Sequence, residues 1–209
     1  YTGTSGTWTL HVLDALTGAV VALAADASLE GVADLDGDGT PELVATSASG
    51  ARAFRFRRAV IEPLWEIPGR APMHSWNRAD APLRGHTKRL LTLPAPAGAG
   101  RRLVLADLDA GRRTIAIEAW STEFATPAPV ARYDAPAGST ILTSEPFSNV
   151  TMPIEQITVA RTDGFMTVLD DSLRPTNGIA DPAFPASGLR IGGYYSARSD
   201  LGPTAVVGR

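Results

Sequence analysis

The stretch Gly31-Val-Ala-Asp-Leu-Asp-Gly-Asp-Gly-Thr-Pro-Glu-Leu-Val-Ala-Thr46, followed by Ala51-Arg-Ala-Phe-Arg-Phe56, decides which fold the sequence predicts. It contains a short apolar strand, an acidic loop, a second apolar strand, a turn at Ser49-Gly50 and a third strand. In the third strand apolar and polar side chains alternate, which is the pattern of a β-strand with one buried face. No window of the sequence sustains the apolar spacing of three and four that an amphipathic helix needs. We therefore expect an all-β protein built from short antiparallel strands.

The acidic loop Asp34-Leu-Asp36-Gly-Asp38-Gly-Thr40-Pro-Glu42 carries carboxylates at its first, third, fifth and ninth positions. Alternate residues of a tight loop point inward, so the aspartates are expected to converge, and the two glycines permit the turns that this requires. The carbonyl of Thr40 can join them, and Glu42 on the next strand can close the shell. Hard oxygen ligands in a flexible arrangement suit calcium, and carboxylates crowded without a cation repel one another. The loop predicts a calcium site formed by Asp34, Asp36, Asp38, Thr40 and Glu42.

Two other interpretations bear on this loop. Its spacing begins like that of a helix–loop–helix calcium site, but position twelve is Ala45 instead of glutamate, and the flanking segments are expected to be strands. The loop could also be a solvated Asp-Gly turn, held by bonds from its side chains to its own backbone. We favour the cation, in a structural role. Weak sites of this type fill outside cells and stay empty in a cytosol. This predicts an extracellular or cell-surface protein, with the periplasm as a second compartment to consider.

Later segments repeat the outline of the first unit. Residues 102–120 with 130–134 form a second version, and residues 139–170 form a third. A fourth version is split between the two ends of the chain, with strands in 194–208 and in 4–23. The sequence is therefore expected to contain four copies of one antiparallel unit.

The acidic loop is incomplete in the later units. Asp107 and Asp109 match the first two ligand positions, but Gly111, Arg112 and Arg113 follow where more oxygens are needed. We expect one calcium site, in the first unit.

A unit shared by both ends of a chain is the arrangement of a β-propeller whose last blade is closed by strands from opposite termini. Ring closure gives partners to the N–H and C=O groups that an open edge would leave unpaired. We predict a propeller of about four blades in one domain over residues 1–209. The blades cover 28–67, 86–136, 137–187, and 188–209 joined to 1–27, and an inter-blade loop covers 68–85. The alternative, which we prefer slightly, is a segment cut from a longer array, because four-bladed rings are at the small end of the range.

Composition excludes several classes of function. The chain has no cysteine, which rules out disulfides and thiolate metal sites. Its net charge of −3 provides no basic face for nucleic acid, and no apolar run reaches the roughly 20 residues of a membrane helix. The chain begins at Tyr1 with no signal segment, so we expect a processed product or a fragment.

The segment Val32-Ala-Asp-Leu-Asp-Gly-Asp-Gly-Thr-Pro-Glu-Leu-Val44 closely resembles the FG-GAP/VCBS repeat, the blade unit of the integrin α-subunit propeller and of many bacterial surface proteins. The resemblance implies a secreted propeller that binds calcium through this loop, with Thr40 contributing its backbone carbonyl. The family usually has aspartate at the position of Glu42, and this departure is expected to loosen the geometry. Residues 9–18, Thr-Leu-His-Val-Leu-Asp-Ala-Leu-Thr-Gly, also resemble the quinoprotein-type propeller repeat, whose pattern ends in Asp-Ala-x-Thr-Gly.

The resemblance implies adhesion, ligand binding or scaffolding and identifies no ligand. We expect a non-catalytic module with a protein or glycan partner, completed by the remaining blades of a longer chain or of a partner subunit. Propellers bind through inter-blade loops, which makes residues 68–85 the candidate surface. Trp65, His74, Trp76 and Arg78 could stack on a sugar or a peptide, although packing between blades is the interpretation we prefer for the two tryptophans.

The alternative is the propeller domain of a secreted enzyme, either a quinone-dependent dehydrogenase or a polysaccharide lyase. The chain is short for the large ring that a quinone site needs. It contains no Gly-x-Ser-x-Gly stretch, and its histidines, His11, His74 and His86, show no metal spacing. We therefore expect no catalytic residues. The enzyme alternative rests on fold-level analogy alone.

Overall fold

The computed structural model of the protein describes residues 8–77, 87–95, 100–121, 127–149, 152–180, 190–194 and 205–208. Within these ranges the chain forms nineteen strands and no helix, and all strand pairs are antiparallel. The expected all-β class is confirmed. No helix long and apolar enough to cross a membrane occurs in the described part of the chain.

The N-terminal part forms a hairpin that packs on a four-stranded sheet. The hairpin consists of β1 (Thr9–Leu13) and β2 (Val20–Ala25), and the sheet runs in sequence order through β3 (Ser28–Ala33), β4 (Glu42–Thr46), β5 (Gly50–Arg57) and β6 (Val60–Pro68). Leu10 of the hairpin lies in a buried cluster with Ala27, Ala45 and Phe54. One face of the hairpin is therefore buried against the sheet.

The described residues after β6 form a second, larger sheet and two separate strand pairs. After β7 (Arg70–Pro72), the strands β8 (His74–Asn77) and β9 (Thr87–Leu90) pair with each other. The next eight strands are β10 (Thr92–Pro94), β11 (Arg101–Leu108), β12 (Thr114–Trp120), β13 (Pro129–Asp134), β14 (Ile141–Asn149), β15 (Met152–Arg161), β16 (Phe165–Leu169) and β17 (Pro175–Ala180). Together with β7 they make one nine-stranded sheet.

This larger sheet divides into two runs of four strands. Strands β10 to β13 pair in sequence order, and so do strands β14 to β17. The two runs meet through a single residue pair, Thr114 with Ile141. The connection between β15 and β16 is a tight turn at Thr162-Asp163-Gly164, where Gly164 has a φ of 80° that disfavours a side chain.

Residues 68–85 do not form the continuous loop that the sequence predicted, because β7 and β8 lie within this range. Strand β7 pairs with β11, and the N–H of Met73 extends that pairing by donating to the carbonyl of Val104 at 3.0 Å. Arg70 holds β7 in place through ion pairs to Asp107 and Glu118. Strands of three or four residues are too short to show an alternating pattern, so the sequence does not mark them. Residues 78–86, including Arg78, lie outside the described residues.

The two ends of the chain form separate hairpins. Strands β18 (Arg190–Tyr194) and β19 (Ala205–Gly208) pair with each other, and β1 pairs with β2. No strand pairing among the described residues joins these two hairpins. The closed ring with a blade shared by both termini therefore stays a prediction.

The acidic loop between β3 and β4 is positioned by a core cluster that spans the two large sheets. Leu35, inside this loop, is 2% exposed and lies in one cluster with Leu90, Leu103, Leu105 and Trp120. Burying a leucine side chain contributes about 1.5–3 kcal/mol. The middle of an otherwise polar loop is thereby anchored to the hydrophobic core.

Candidate metal centre

The loop between β3 and β4 brings three carboxylates together beside the strand pair. One oxygen from each of Asp34, Asp36 and Glu42 lies within 4.8 Å of the other two. Ala33 is paired with Glu42 in the strand register, so the loop leaves the sheet and returns to it at the same level. Glu42 is fully buried, while both aspartates are partly buried. Within the described residues, no other group of three metal-ligating side chains converges in this way.

The turns of the loop are held by its own aspartates. The Oδ1 and Oδ2 atoms of Asp34 accept the N–H groups of Gly37 at 2.8 Å and of Gly39 at 3.0 Å. Both glycines have positive φ angles, 77° and 84°, that other residues rarely adopt. The Oδ1 of Asp36 accepts the N–H of Asp38 at 3.1 Å. These are the side-chain-to-backbone bonds of an Asp-Gly turn, and they order the loop without opposing the convergence of its carboxylates.

Asp38 and Thr40, the other two predicted ligands, lie beside the group of three. The Oδ1 of Asp38 accepts the N–H of Thr40 at 2.7 Å, and this bond holds the pKa of Asp38 below its usual value. The Oδ2 of Asp38 is 4.0 Å from Nη2 of Arg57. The structure thus groups three of the five predicted residues closely, and the full set of five stays a prediction.

Glu42 is the most buried carboxylate of the centre. Its Oε2 accepts the N–H of Leu35 at 2.9 Å, which ties the strand to the middle of the loop. Burial raises the pKa of Glu42 above its usual value and the charge of Asp36 adds to the rise, while the bonds from Leu35 and Arg55 oppose it. A buried carboxylate with a raised pKa is one that a nearby cation would stabilise in its charged form.

Arg55 is a part of the centre that the sequence analysis missed. Its Nη2 lies 2.5 Å from Oδ2 of Asp36 and 3.3 Å from Oε1 of Glu42. The predicted repulsion between crowded carboxylates is therefore partly compensated by a guanidinium from β5. A signal for this contact was present: the turn over residues 47–50 sets the register that pairs Leu43 with Phe54, and the next position places Glu42 beside Arg55.

The backbone of the loop is braced from the second sheet. The carbonyl of Leu35 accepts the N–H of Arg101 at 3.0 Å. Gly100, with a φ of 79°, packs so closely that a Cβ on it would lie 2.3 Å from that carbonyl oxygen. The loop is thus fixed on one side by its own turns and on the other by the start of β11.

The corresponding loop of the second unit, between β11 and β12, holds no such group. Asp107 lies 2.6 Å from Nη1 of Arg70 and 2.9 Å from Nη1 of Arg132. Asp109 instead pairs with Arg113, at 2.7 Å. The two aspartates that match the first ligand positions are thus each satisfied by arginine. The expectation that this unit has lost its cation stays a prediction.

Two of the residues expected to form a binding surface, Trp65 and His74, make contacts within the protein. Trp65 is partly buried and packs against the cluster that contains Leu35. The Nε2 of His74 lies 3.2 Å from Oε2 of Glu30, which joins β8 to β3. Trp76 lies on β8. For Trp65 the structure thus supports the interpretation of packing over stacking on a ligand.

The donors of the centre fit a hard divalent cation. All three are carboxylates, one is fully buried, and their oxygens converge at a distance that a single ion could bridge. The loop and the adjoining strand carry four carboxylates against the two nearby guanidinium groups of Arg55 and Arg57, so negative charge remains in excess. Comparison with known proteins found no matching family model, no matching curated protein and no matching solved structure.

Proposed function

We propose that this chain is a calcium-stabilised, non-catalytic module of an extracellular β-propeller that serves in binding, adhesion or scaffolding. The observation that carries the proposal is the convergence of Asp34, Asp36 and Glu42 within 4.8 Å at the end of a strand pair. Oxygen donors of this kind suit calcium, which accepts irregular geometry and six to eight ligands. The family resemblance of residues 32–44 points in the same direction.

Calcium, when bound, supplies the charge that neutralises these carboxylates and joins the loop to strand β4. Asp34 is held ready by the N–H groups of Gly37 and Gly39. Glu42 is fixed by the N–H of Leu35, and Leu35 is itself fixed by the core. The protein thus orders its ligands before any ion arrives, which reduces the entropy lost on binding.

The repeated sheets support a propeller. Four antiparallel strands in sequence order recur three times, as β3–β6, β10–β13 and β14–β17. The outer face of the β1–β2 hairpin exposes apolar side chains, with Leu13 55%, Val20 50% and Leu23 61% exposed. Apolar surface of this kind marks a contact with another element. In the proposed architecture this face packs against a further blade, supplied by a longer chain or a partner subunit.

The proposed location outside the cell follows from the weakness expected of such a site. At a free calcium concentration about one hundred times the dissociation constant, binding adds about 2.7 kcal/mol to stability by mass action. Extracellular calcium is high enough to supply this for a weak site, and cytosolic calcium is not. The ligand of the proposed module is a protein or a glycan, and arrays of glycans and peptides probed with the calcium-loaded chain would identify its class.

The central test combines calorimetric titration with thermal unfolding in calcium and in chelator. We expect saturable calcium binding and an increase in the melting temperature of about 5–10 °C at saturation. The variant Asp34→Asn, which removes one charge from the group, is expected to lose most of both effects. Asp109→Asn, the same change in the loop of the second unit, is the matched control and should leave both effects intact.

Two results would contradict the proposed function. Absence of binding heat and of thermal stabilisation in the unmodified chain would remove the calcium site. Equal loss in Asp34→Asn and Asp109→Asn would show that calcium acts through general charge screening instead of a site formed by the β3–β4 loop.

A further inference from the structure

Arg55 occupies a particular place in the candidate metal centre. Its side chain is 18% exposed and extends from β5 toward the loop that precedes β4. One nitrogen, Nη2, contacts both Asp36 and Glu42, at 2.5 Å and 3.3 Å. A single guanidinium therefore bridges two of the three carboxylates that converge in the loop.

We propose that Arg55 is the built-in counter-ion of this loop and that it competes with a divalent cation for Asp36 and Glu42. The inference rests on the proposed function, because it concerns the same site. A guanidinium and a divalent ion repel each other strongly at the few ångströms that separate ligands of one site. Cation binding through these two carboxylates thus requires the Arg55 side chain to withdraw or to lengthen its contacts.

The competition assigns two states to the loop. In the metal-free state Arg55 neutralises part of the charge on Glu42, which is fully buried and would otherwise lack a cationic partner among the contacts described. In the cation-bound state the ion takes over this role. Since the turns of the loop rest on backbone N–H groups and not on Arg55, the loop keeps its shape in both states. Arg55 therefore sets how tightly the loop binds its cation.

The variant Arg55→Met tests this role because it keeps an unbranched apolar side chain in place of the arginine stem and removes the guanidinium charge. We expect calcium affinity measured by calorimetric titration to increase about tenfold or more, since a repelling charge next to the ion is removed. We also expect the melting temperature in chelator to fall by about 5 °C or more, because the buried Glu42 loses its counter-charge. The two changes have opposite signs, which a general loss of structure would not produce.

Arg57→Met is the matched control. Arg57 lies on the same strand, but its guanidinium is 4.0 Å from Asp38 and its side chain is 55% exposed. Removal of the same charge at this position is expected to change the calcium affinity less than about twofold and the metal-free melting temperature very little. The difference between the two variants isolates the contact with Asp36 and Glu42 from the overall charge of the molecule.

The outcomes separate this inference from the proposed function. If the unmodified chain binds calcium and Arg55→Met binds it no more tightly, the competition is wrong and the calcium site stands. If no variant binds calcium, the site and the competition fail together. An unchanged melting temperature of Arg55→Met in chelator would overturn the counter-ion role by itself. Should Arg55→Met not fold in chelator, Arg55→Gln takes its place. Its amide is uncharged and can still donate a hydrogen bond to a carboxylate, and unchanged calcium affinity in that variant would overturn the competition.

Discussion

The loop between β3 and β4 and the loop between β11 and β12 occupy equivalent places in two antiparallel sheets. In each case the following strand contributes a fully buried glutamate, Glu42 in the first sheet and Glu118 in the second. Glu42 has one guanidinium, that of Arg55, at 3.3 Å. Glu118 has two, from Arg70 at 2.6 Å and from Arg132, and also accepts the indole N–H of Trp120 at 2.9 Å.

The difference shows two ways of compensating a buried glutamate, which begins β4 in the first sheet and lies inside β12 in the second. In the second sheet two arginines face the two buried carboxylates of Asp107 and Glu118, and the third carboxylate on Arg132, that of Asp134, is 63% exposed. Each buried carboxylate of this sheet therefore has contacts with two guanidinium groups. In the first sheet one arginine is shared between Asp36 and Glu42, and negative charge remains. A buried carboxylate requires compensation, and where the protein supplies too little, a cation can supply the rest. The second sheet supplies two arginines to its buried glutamate, and the first sheet supplies one. The candidate metal centre is therefore the site at which the protein compensates its buried carboxylate less.

The largest effect on the free energy of unfolding is expected when the charge of Glu118 is removed from the second sheet. Glu118→Gln keeps the shape of the side chain but leaves Arg70 and Arg132 with one buried anionic partner, Asp107, in place of two. We expect the free energy of unfolding to fall by about 3 kcal/mol, the range for breaking a buried ion pair. Urea denaturation in chelator measures this loss.

Asp134→Asn is the control for that experiment. Asp134 bonds the same Arg132 at 2.7 Å, but its side chain is 63% exposed, so its removal should cost less than about 0.5 kcal/mol. Similar losses in the free energy of unfolding from Glu118→Gln and Asp134→Asn would show that burial does not make Glu118 more important than an exposed partner of Arg132. The contrast between the two sheets would then be wrong.

The pH dependence of stability should differ in sign between the two glutamates. Burial alone would raise the pKa of Glu118, but the bonds from Arg70 and Trp120 and the charge of Arg132 outweigh it, so this pKa lies below its usual value. Its contribution to stability is present above the unfolded-state pKa of about 4.3 and is lost as the pH falls through the lowered folded-state pKa. The pKa of Glu42 is raised, mainly by burial. Its ionisation therefore opposes folding at neutral pH, and this penalty diminishes as the pH falls from the raised pKa toward about 4.3.

Unfolding measured against pH in chelator tests this contrast with Glu42→Gln and Glu118→Gln. The stability of the unmodified chain relative to Glu42→Gln should rise on acidification from neutral pH. The stability of the unmodified chain relative to Glu118→Gln should decrease when the pH is lowered below about 4.3. Two curves that move in the same direction would mean that both glutamates have equivalent surroundings.

The smallest effect is expected at the exposed ion pair of the second loop. Arg113 is 69% exposed and pairs with Asp109 at 2.7 Å. Arg113→Ala should change the free energy of unfolding by less than about 0.5 kcal/mol, as is usual for an exposed pair. It should also create no calcium binding, because Asp107 stays engaged by Arg70 and Arg132. If Arg113→Ala binds calcium through this loop, then a single exposed arginine prevents calcium binding in the second sheet, and the explanation from Arg70 and Arg132 is wrong.

The sequence predicted the all-β class and the strands around the acidic loop because both depend on local patterns. The alternation in residues 53–56 and the Asp-Gly spacing of the loop each depend only on residues that are close in sequence. The short segments β7, β8 and β10 were harder to foresee, because three or four residues show no clear alternation. Strand β7 in addition pairs with β11, which lies much later in the sequence. Residues 68–85 were therefore predicted as a loop, although Arg70 and Asp107 bring part of this segment onto the second sheet.

The sequence by itself determined a loop that can turn on its own glycines and that carries four carboxylates. Only the tertiary structure decided how those charges are compensated. Arg55 reaches Asp36 and Glu42 because of a strand register, and Arg70 reaches Glu118 across 48 residues of sequence. Turn formation depends on the conformations of adjacent residues, whereas the free energy of a buried charge depends on every group that surrounds it in space. For this reason the sequence indicates where a cation could bind, and the fold determines how strongly the protein itself competes for that position.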